Sequence, residues 1–139
     1  MDVRYIIIHC SASRVDIDYS EDQMLKDHLA QGFRTIGYHY YIRKSGSVSQ
    51  HRQHDEPGAH CRGFNNSSIG ICYEGGLNEE GRVADTRTSE QIISLTILIR
   101  FLHRLYPSAT ILGHCDLNSQ KKCPCFNVSI WLSSINLTD

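Results

Sequence analysis

Leu112-Gly113-His114-Cys115-Asp116-Leu117-Asn118-Ser119-Gln120-Lys121-Lys122-Cys123-Pro124-Cys125-Phe126 is the stretch around which the chain is organised. It follows directly on the apolar segment Ala109-Thr110-Ile111-Leu112 and gathers a histidine, a lysine pair and a cysteine into one loop. A neutral imidazole and a thiolate are both good zinc ligands. Two ligands make a poor site, so another part of the chain must supply a third. That residue is expected to be His9, which ends the run Val3-Arg4-Tyr5-Ile6-Ile7-Ile8-His9. The run has the length and β-branched content of a buried strand. A histidine where a central strand leaves the sheet faces the surface on which α/β proteins build their sites. His9, His114 and Cys123 would make a three-ligand zinc with a fourth position open to water, the arrangement of catalytic zinc. The bland alternative treats the cysteines as ordinary small residues and His114 as a satisfied polar side chain. The zinc reading requires the strands ending at His9 and His114 to be parallel and adjacent.

The totals set the frame. With 139 residues the chain is expected to form one domain, residues 1–139, able to bury a core without disulfide staples. A formal charge of −1 and a hydrophobic fraction of 40% are ordinary for a soluble globular protein. No basic excess points to nucleic acid. No apolar run approaches the roughly 18 residues of a membrane span, so no membrane insertion is expected. Met1-Asp2-Val3-Arg4 leads straight into a strand without the features of a signal peptide. The expectation is synthesis in the cytoplasm; a substrate outside would then need a delivery partner. In such a setting the six cysteines are expected to stay reduced. Strand alternation would turn Cys10 away from His9 and Cys115 away from His114, making both buried thiols.

Taken in order, Ser20-Glu21-Asp22-Gln23 fits a capping box, followed by a helix through Met24, Leu25, His28 and Leu29 that stops at Gly32. His28, at i+4 from Met24, is expected to be a packed histidine at the core edge. Gly37 to Arg43 reads as a strand, with Tyr38 and Tyr40 on one face and His39 and Tyr41 on the other. A turn at Lys44-Ser45-Gly46-Ser47 and a returning strand Val48 to Arg52 complete a hairpin. A loop from Gln53 to Ser68 carries His54, His60 and several glycines; loops held by a rigid scaffold concentrate function. Ile69 to Glu74 is a further strand, and Leu77 to Arg87 is a polar excursion without a chemical signal. Thr88-Ser89-Glu90-Gln91 is a second capping box. The helix after it runs to about Tyr106, stopped by Pro107. Its Ile92, Ile93, Leu95, Leu98, Ile99, Phe101, Leu102 and Leu105 exceed a narrow stripe, so the sheet is expected to cover it largely. Asn127 is placed to cap a final helix carrying Val128, Ile130, Trp131, Leu132 and Ile135. Strands interrupted by helices, with one hairpin, give the fold class: α/β, a single domain with a central mixed β-sheet flanked by helices.

Several stretches, in this order along nearly the whole chain, resemble one family. They are Ile6-Ile7-Ile8-His9-Cys10-Ser11-Ala12, Ile36-Gly37-Tyr38-His39-Tyr40, Gly58-Ala59-His60-Cys61-Arg62-Gly63-Phe64-Asn65, Ser68-Ile69-Gly70-Ile71, Gly113-His114-Cys115-Asp116-Leu117 and Lys121-Lys122-Cys123-Pro124. The chain resembles the zinc-dependent N-acetylmuramoyl-L-alanine amidases of the type 2 family, which share the peptidoglycan recognition protein fold and include amidase-type phage lysozymes. The resemblance implies zinc held by His9, His114 and Cys123, with Tyr38 and Lys121 as catalytic residues. It implies His60 and Asn65 as residues lining the peptide-binding groove. Cys125 could also reach the ion after a loop adjustment; the resemblance favours Cys123, the thiol directly before proline. Cys115 stands where family members commonly carry arginine.

The activity implied is hydrolysis of the amide joining N-acetylmuramic acid to L-alanine in bacterial peptidoglycan, glycan strand and stem peptide together forming the partner. A monomer acting on the cell wall is expected, with a holin or a secretion system as the delivery partner. Two rivals remain: a peptidoglycan-binding module of the same fold that does not cut, and a small redox or structural-zinc protein built on the cysteines.

Overall fold

The structure is a computed structural model that describes residues 1–138, so the last residue of the expected 1–139 domain, Asp139, lies outside the described residues. Its centre is a five-stranded mixed sheet. The strands are β1 (Tyr5–Cys10), β3 (Tyr40–Ile42), β4 (Val48–Gln50), β5 (Ser68–Tyr73) and β7 (Thr110–Gly113), in the order β4-β3-β5-β1-β7. A two-stranded pair, β2 (Ser13–Arg14) with β6 (Gly76–Leu77), stands beside it. The helices are α1 (Glu21–Ala30), α2 (Ser89–Leu105), the single turn α3 (His114–Leu117) and α4 (Val128–Ser134).

β1 is flanked by parallel strands on both sides, β5 and β7. A strand covered on both faces must be apolar throughout, and Ile6, Ile7 and Ile8 are fully buried. Alternation divides them. Ile6, Ile8 and Cys10 pack with Leu95, Ile99 and Leu102 of α2, leaving His9 on the opposite face. On the other side of the sheet, Met24 of α1 packs with Ile36, Tyr41 and Cys72. In β7, Gly113 pairs with Ile8, so His9 and His114 leave adjacent parallel strands at the same level. The geometric condition for the zinc reading is met.

The helix starts follow the sequence signals. The Thr88 hydroxyl accepts from Gln91 N while the Gln91 side chain accepts from Thr88 N, a complete capping box. The Gln91 amide also donates to the carbonyls of Ile42 and Glu74, which is why a polar residue is tolerated under the helix. At α1 only half of the expected box forms. Ser20 accepts from Gln23 N, but the Gln23 amide turns to Asp27 instead. Asn127 caps α4 through Ile130 N.

Four expectations need correction. The sheet covers one side of α2 only: Ile93, Phe101 and Leu105 are exposed, because among the described residues no second layer covers the helix's outer side. Ile130 of α4 is exposed for the same reason. The strand expected over Gly37 to Arg43 begins only at Tyr40. Gly70 N, which a longer ladder would pair with a carbonyl, donates to the His39 ring at 3.0 Å. With the ladder interrupted, the period-2 rule fails: Tyr40 joins the core under α2, whereas Tyr38 packs with Tyr41 on the α1 side. The returning strand likewise ends at Gln50. Arg52 turns inward, and its guanidinium donates to the carbonyls of Ile36 and Pro57.

Candidate active site

The site forms at the end of β1 and β7, where three segments distant in sequence converge. One donor atom from each of His9, His114 and Cys123 lies within 4.8 Å of the other two. His9 is buried, and the other two are half-buried. The His9 and His114 rings are 4.7 Å apart between centroids. His114 opens α3, a helical turn within what the sequence suggested was loop. The strand to its N-terminal side ends in Gly113, where a Cβ would come 2.7 Å from Pro124, so only glycine lets the Cys123-Pro124 segment close against β7. Cys115 N donates to Cys123 O at 2.8 Å, folding the loop back on its start. Cys10 N donates to Cys123 Sγ at 3.1 Å, a backbone hydrogen bond aimed at the sulfur. The polar excursion before α2 also holds this loop, for the Arg87 guanidinium lies 3.4 Å over the Phe126 ring.

The second thiol is turned elsewhere. Cys125 Sγ lies 3.7 Å from Cys10 Sγ. The Cys10 contact with Cys123, together with burial, pushes its thiol up to about 12. The Cys125 thiol is also pushed up, first by Cys10 and then by burial. Both thus stay protonated. Cys115 is half-buried at the start of α3 rather than fully buried on an alternating strand.

Electrostatics keep the imidazoles neutral. Burial holds His9 well below the ordinary histidine range, reinforced by His60 and His114. Burial also lowers His114, with the Lys121 ammonium adding to it. His60 is pushed down to about 3, again chiefly by burial. Two neutral imidazoles and a thiol form a donor set that fits zinc with one position left open. A tetrahedral ion needs donors roughly 3.4–3.8 Å apart, so the group needs only small side-chain adjustment.

Tyr38 sits beside this corner, its ring 5.1 Å from that of His9. Burial, followed by the neighbouring cysteines, raises its phenol well above the ordinary value, so it remains a proton donor. Lys121 is exposed and lines three neighbouring spaces, two of which also border Tyr38. One borders His9, His114 and Cys123. The other is a cleft of about 570 Å³ whose walls include Tyr38, His60, Arg62 and Asn65. The Asn65 side-chain oxygen accepts from His60 N and Cys61 N, both at 2.9 Å, so it shapes the loop as well as lining the cleft. His28, read as structural, accepts from Gly37 N at 2.9 Å and also reaches the cleft wall. One contact was not foreseen: His60 Nδ1 is 2.8 Å from His9 Nε2.

His9, His114, Cys123, Tyr38, Lys121 and His60 thus line one space, and Asn65 lines a second that shares Tyr38, His60 and Lys121 with it. A family model described as N-acetylmuramoyl-L-alanine amidase matches residues 1–126. The chain belongs to this amidase family. The amidase is 33% identical over 127 residues to the endolysin of Enterobacteria phage K11, covering 91% of this chain and 83% of that protein. Among solved structures it is similar to the N-acetylmuramoyl-L-alanine amidase LysC of Clostridium intestinale URNW. That match has a TM-score of 0.80 and 30% identity, over 95% of this chain and 83% of the other. A mutant of Drosophila PGRP-LB in complex with tracheal cytotoxin also matches, with a TM-score of 0.77 and 25% identity over 96% of this chain and 81% of that one. Among the described residues, no helix is long and apolar enough to cross a membrane.

Proposed function

We propose that His9, His114 and Cys123 hold zinc in this amidase, that Tyr38 and Lys121 are its catalytic side chains, and that the cleft beside them takes the stem peptide between His60 and Asn65. The family gives the reaction: hydrolysis of the amide between N-acetylmuramic acid and L-alanine in bacterial peptidoglycan. One observation carries the assignment of residues. Three good zinc donors from distant parts of the chain lie within 4.8 Å of one another, beside the cleft.

Held by His9, His114 and Cys123, zinc would activate a water molecule at neutral pH and polarise a carbonyl. The remaining work belongs to the chain. Attack on an amide places negative charge on the carbonyl oxygen. Lys121, facing both spaces, brings a cation to that charge. Tyr38, held protonated, donates a hydrogen bond to the same oxygen or to the attacking water. The walls of the cleft orient the peptide side of the bond and fix its approach to the corner. In this reading residues 1–139 form one amidase domain that works as a monomer on the cell wall and is brought there by a holin or a secretion system. The thiol of Cys123 and the phenol of Tyr38 standing together favour cutting over mere binding.

The test is to incubate purified protein with cell-wall sacculi, with and without chelator, and assay freed stem peptides that begin in L-alanine. Release that chelator stops and added zinc restores is the expected outcome. Release insensitive to chelator would remove the metal from the reading.

A further inference from the structure

Ser68 has one hydroxyl proton and two polar neighbours. Its Oγ lies 2.7 Å from the Phe64 carbonyl and 3.2 Å from His60 Nε2. A carbonyl only accepts, so the hydroxyl proton goes to Phe64. Ser68 Oγ must then accept from His60, which places the His60 proton on Nε2 and leaves Nδ1 bare. That bare nitrogen is 2.8 Å from His9 Nε2. Two bare nitrogens form no hydrogen bond, so His9 Nε2 carries a proton and donates it. In a neutral imidazole the remaining lone pair is then on Nδ1.

The His60 ring is held tightly enough to enforce this order. A Cβ on Gly58 would approach His60 Cδ2 to 2.4 Å, and one on Gly70 would approach its Cγ to 2.6 Å. The ring fills a slot that only glycines leave open. Its backbone is pinned through Asn65 Oδ1. Ser68 and Gly70 both belong to β5, which pairs with β1 in the register Tyr5↔Ser68 and Ile7↔Gly70. The strand pairing that places His9 therefore also places the group that orients it.

We propose that His60 is a positioning residue for the metal corner: it locks His9 as the Nε2–H tautomer and presents the His9 Nδ1 lone pair to the ion. The proposal rests on the zinc reading above and deepens it. Without the lock, His9 samples the other tautomer, which turns an N–H toward the ion. Partners of this kind are worth about 10–100-fold in metal affinity.

The experiment has two readouts: long-range proton–nitrogen NMR correlations of the histidine rings in zinc-free protein, and zinc affinity by chelator competition. Wild type should show the His9 proton on Nε2. His60→Ala should give mixed His9 tautomers and bind zinc about 10–100-fold more weakly. His60→Asn places an accepting side-chain oxygen near the former Nδ1 and should recover most of the affinity. Ser68→Ala, which frees the far end of the relay without emptying the slot, should fall between wild type and His60→Ala and covers the case in which His60→Ala does not fold. A His9 proton on Nδ1 in wild type would overturn the proposal. So would a folded His60→Ala with wild-type affinity, or a His60→Asn no better than His60→Ala. A wild type with the expected tautomer but no zinc binding would overturn the zinc site itself, and the role of His60 with it, a result distinct from the others because the relay would be seen intact.

Discussion

Two buried polar clusters stand at the ends of central strands, and they are finished in opposite ways. At the end of β5, Glu74 is almost wholly buried, and its carboxylate is closed off. Oε1 accepts from Arg43 Nε at 2.9 Å and Lys44 N at 3.0 Å, and Oε2 accepts from Tyr19 N at 2.8 Å. Arg43 itself also reaches Glu21 and Asp18. At the end of β1, His9, His114 and Cys123 turn donors toward one another with no cation among the described side chains set between them. Charge in the first cluster is met within the chain; lone pairs in the second converge on a point that a cation can fill. Buried charge is normally met by a partner; in the second cluster the lone pairs that face one another have no such cation, and the proposed chemistry is placed there.

The largest expected effect breaks the open cluster. Cys123→Ser should abolish hydrolysis and sharply reduce zinc content while the fold survives in circular dichroism. Normal zinc and normal activity in this variant would erase the contrast. Glu74→Ala should do the reverse. Removing one partner of a buried ion pair costs about 3–5 kcal/mol, to be seen in denaturant melts, with zinc still bound by the folded fraction. If zinc were lost and the melt unmoved, the two clusters would not be separable.

Lys121→Ala sharpens the open side further. Loss of one group that stabilises an oxyanion costs on the order of 10²–10³ in kcat, and zinc content should not change. Loss of the metal instead would make Lys121 structural. The smallest effect concerns histidines outside both clusters. His28 and His39 each accept a backbone N–H, from Gly37 and Gly70, and burial lowers both below the usual histidine value. The unfolded chain binds protons at these sites first, near pH about 6.5. Their contribution is therefore complete above that pH and is lost as pH falls toward the folded values. Zinc-free protein should melt more easily at pH 5 than at pH 7. A flat profile over that interval would show that these histidines do not hold the fold in neutral form.

Parts of this arrangement were legible before any coordinates. The Ile6-Ile7-Ile8 run announced a strand buried on both faces, and His9 at its end pointed to the site edge. The capping box at Thr88 and Gln91 fixed where α2 begins. These signals are local: a hydrogen bond between residues three apart, or an apolar run of strand length. Tyr38 was not legible in the same way. Alternation put it with Tyr40, and only the His39 ring, by taking the Gly70 N–H in place of a carbonyl, released it from the strand and turned it toward His9. The choice between Cys123 and Cys125 also depended on contacts, since Cys125 is engaged by Cys10 across the chain.

The amino-acid order alone determined the buried strand that ends at His9, the cap of α2, the family resemblance and the donor types, because each is written in neighbouring residues. The tertiary structure decided which donors meet, which thiol is left over, and that His60 touches His9. Those outcomes depend on the pairing of β1 with β5 and β7, a long-range register that no local pattern encodes.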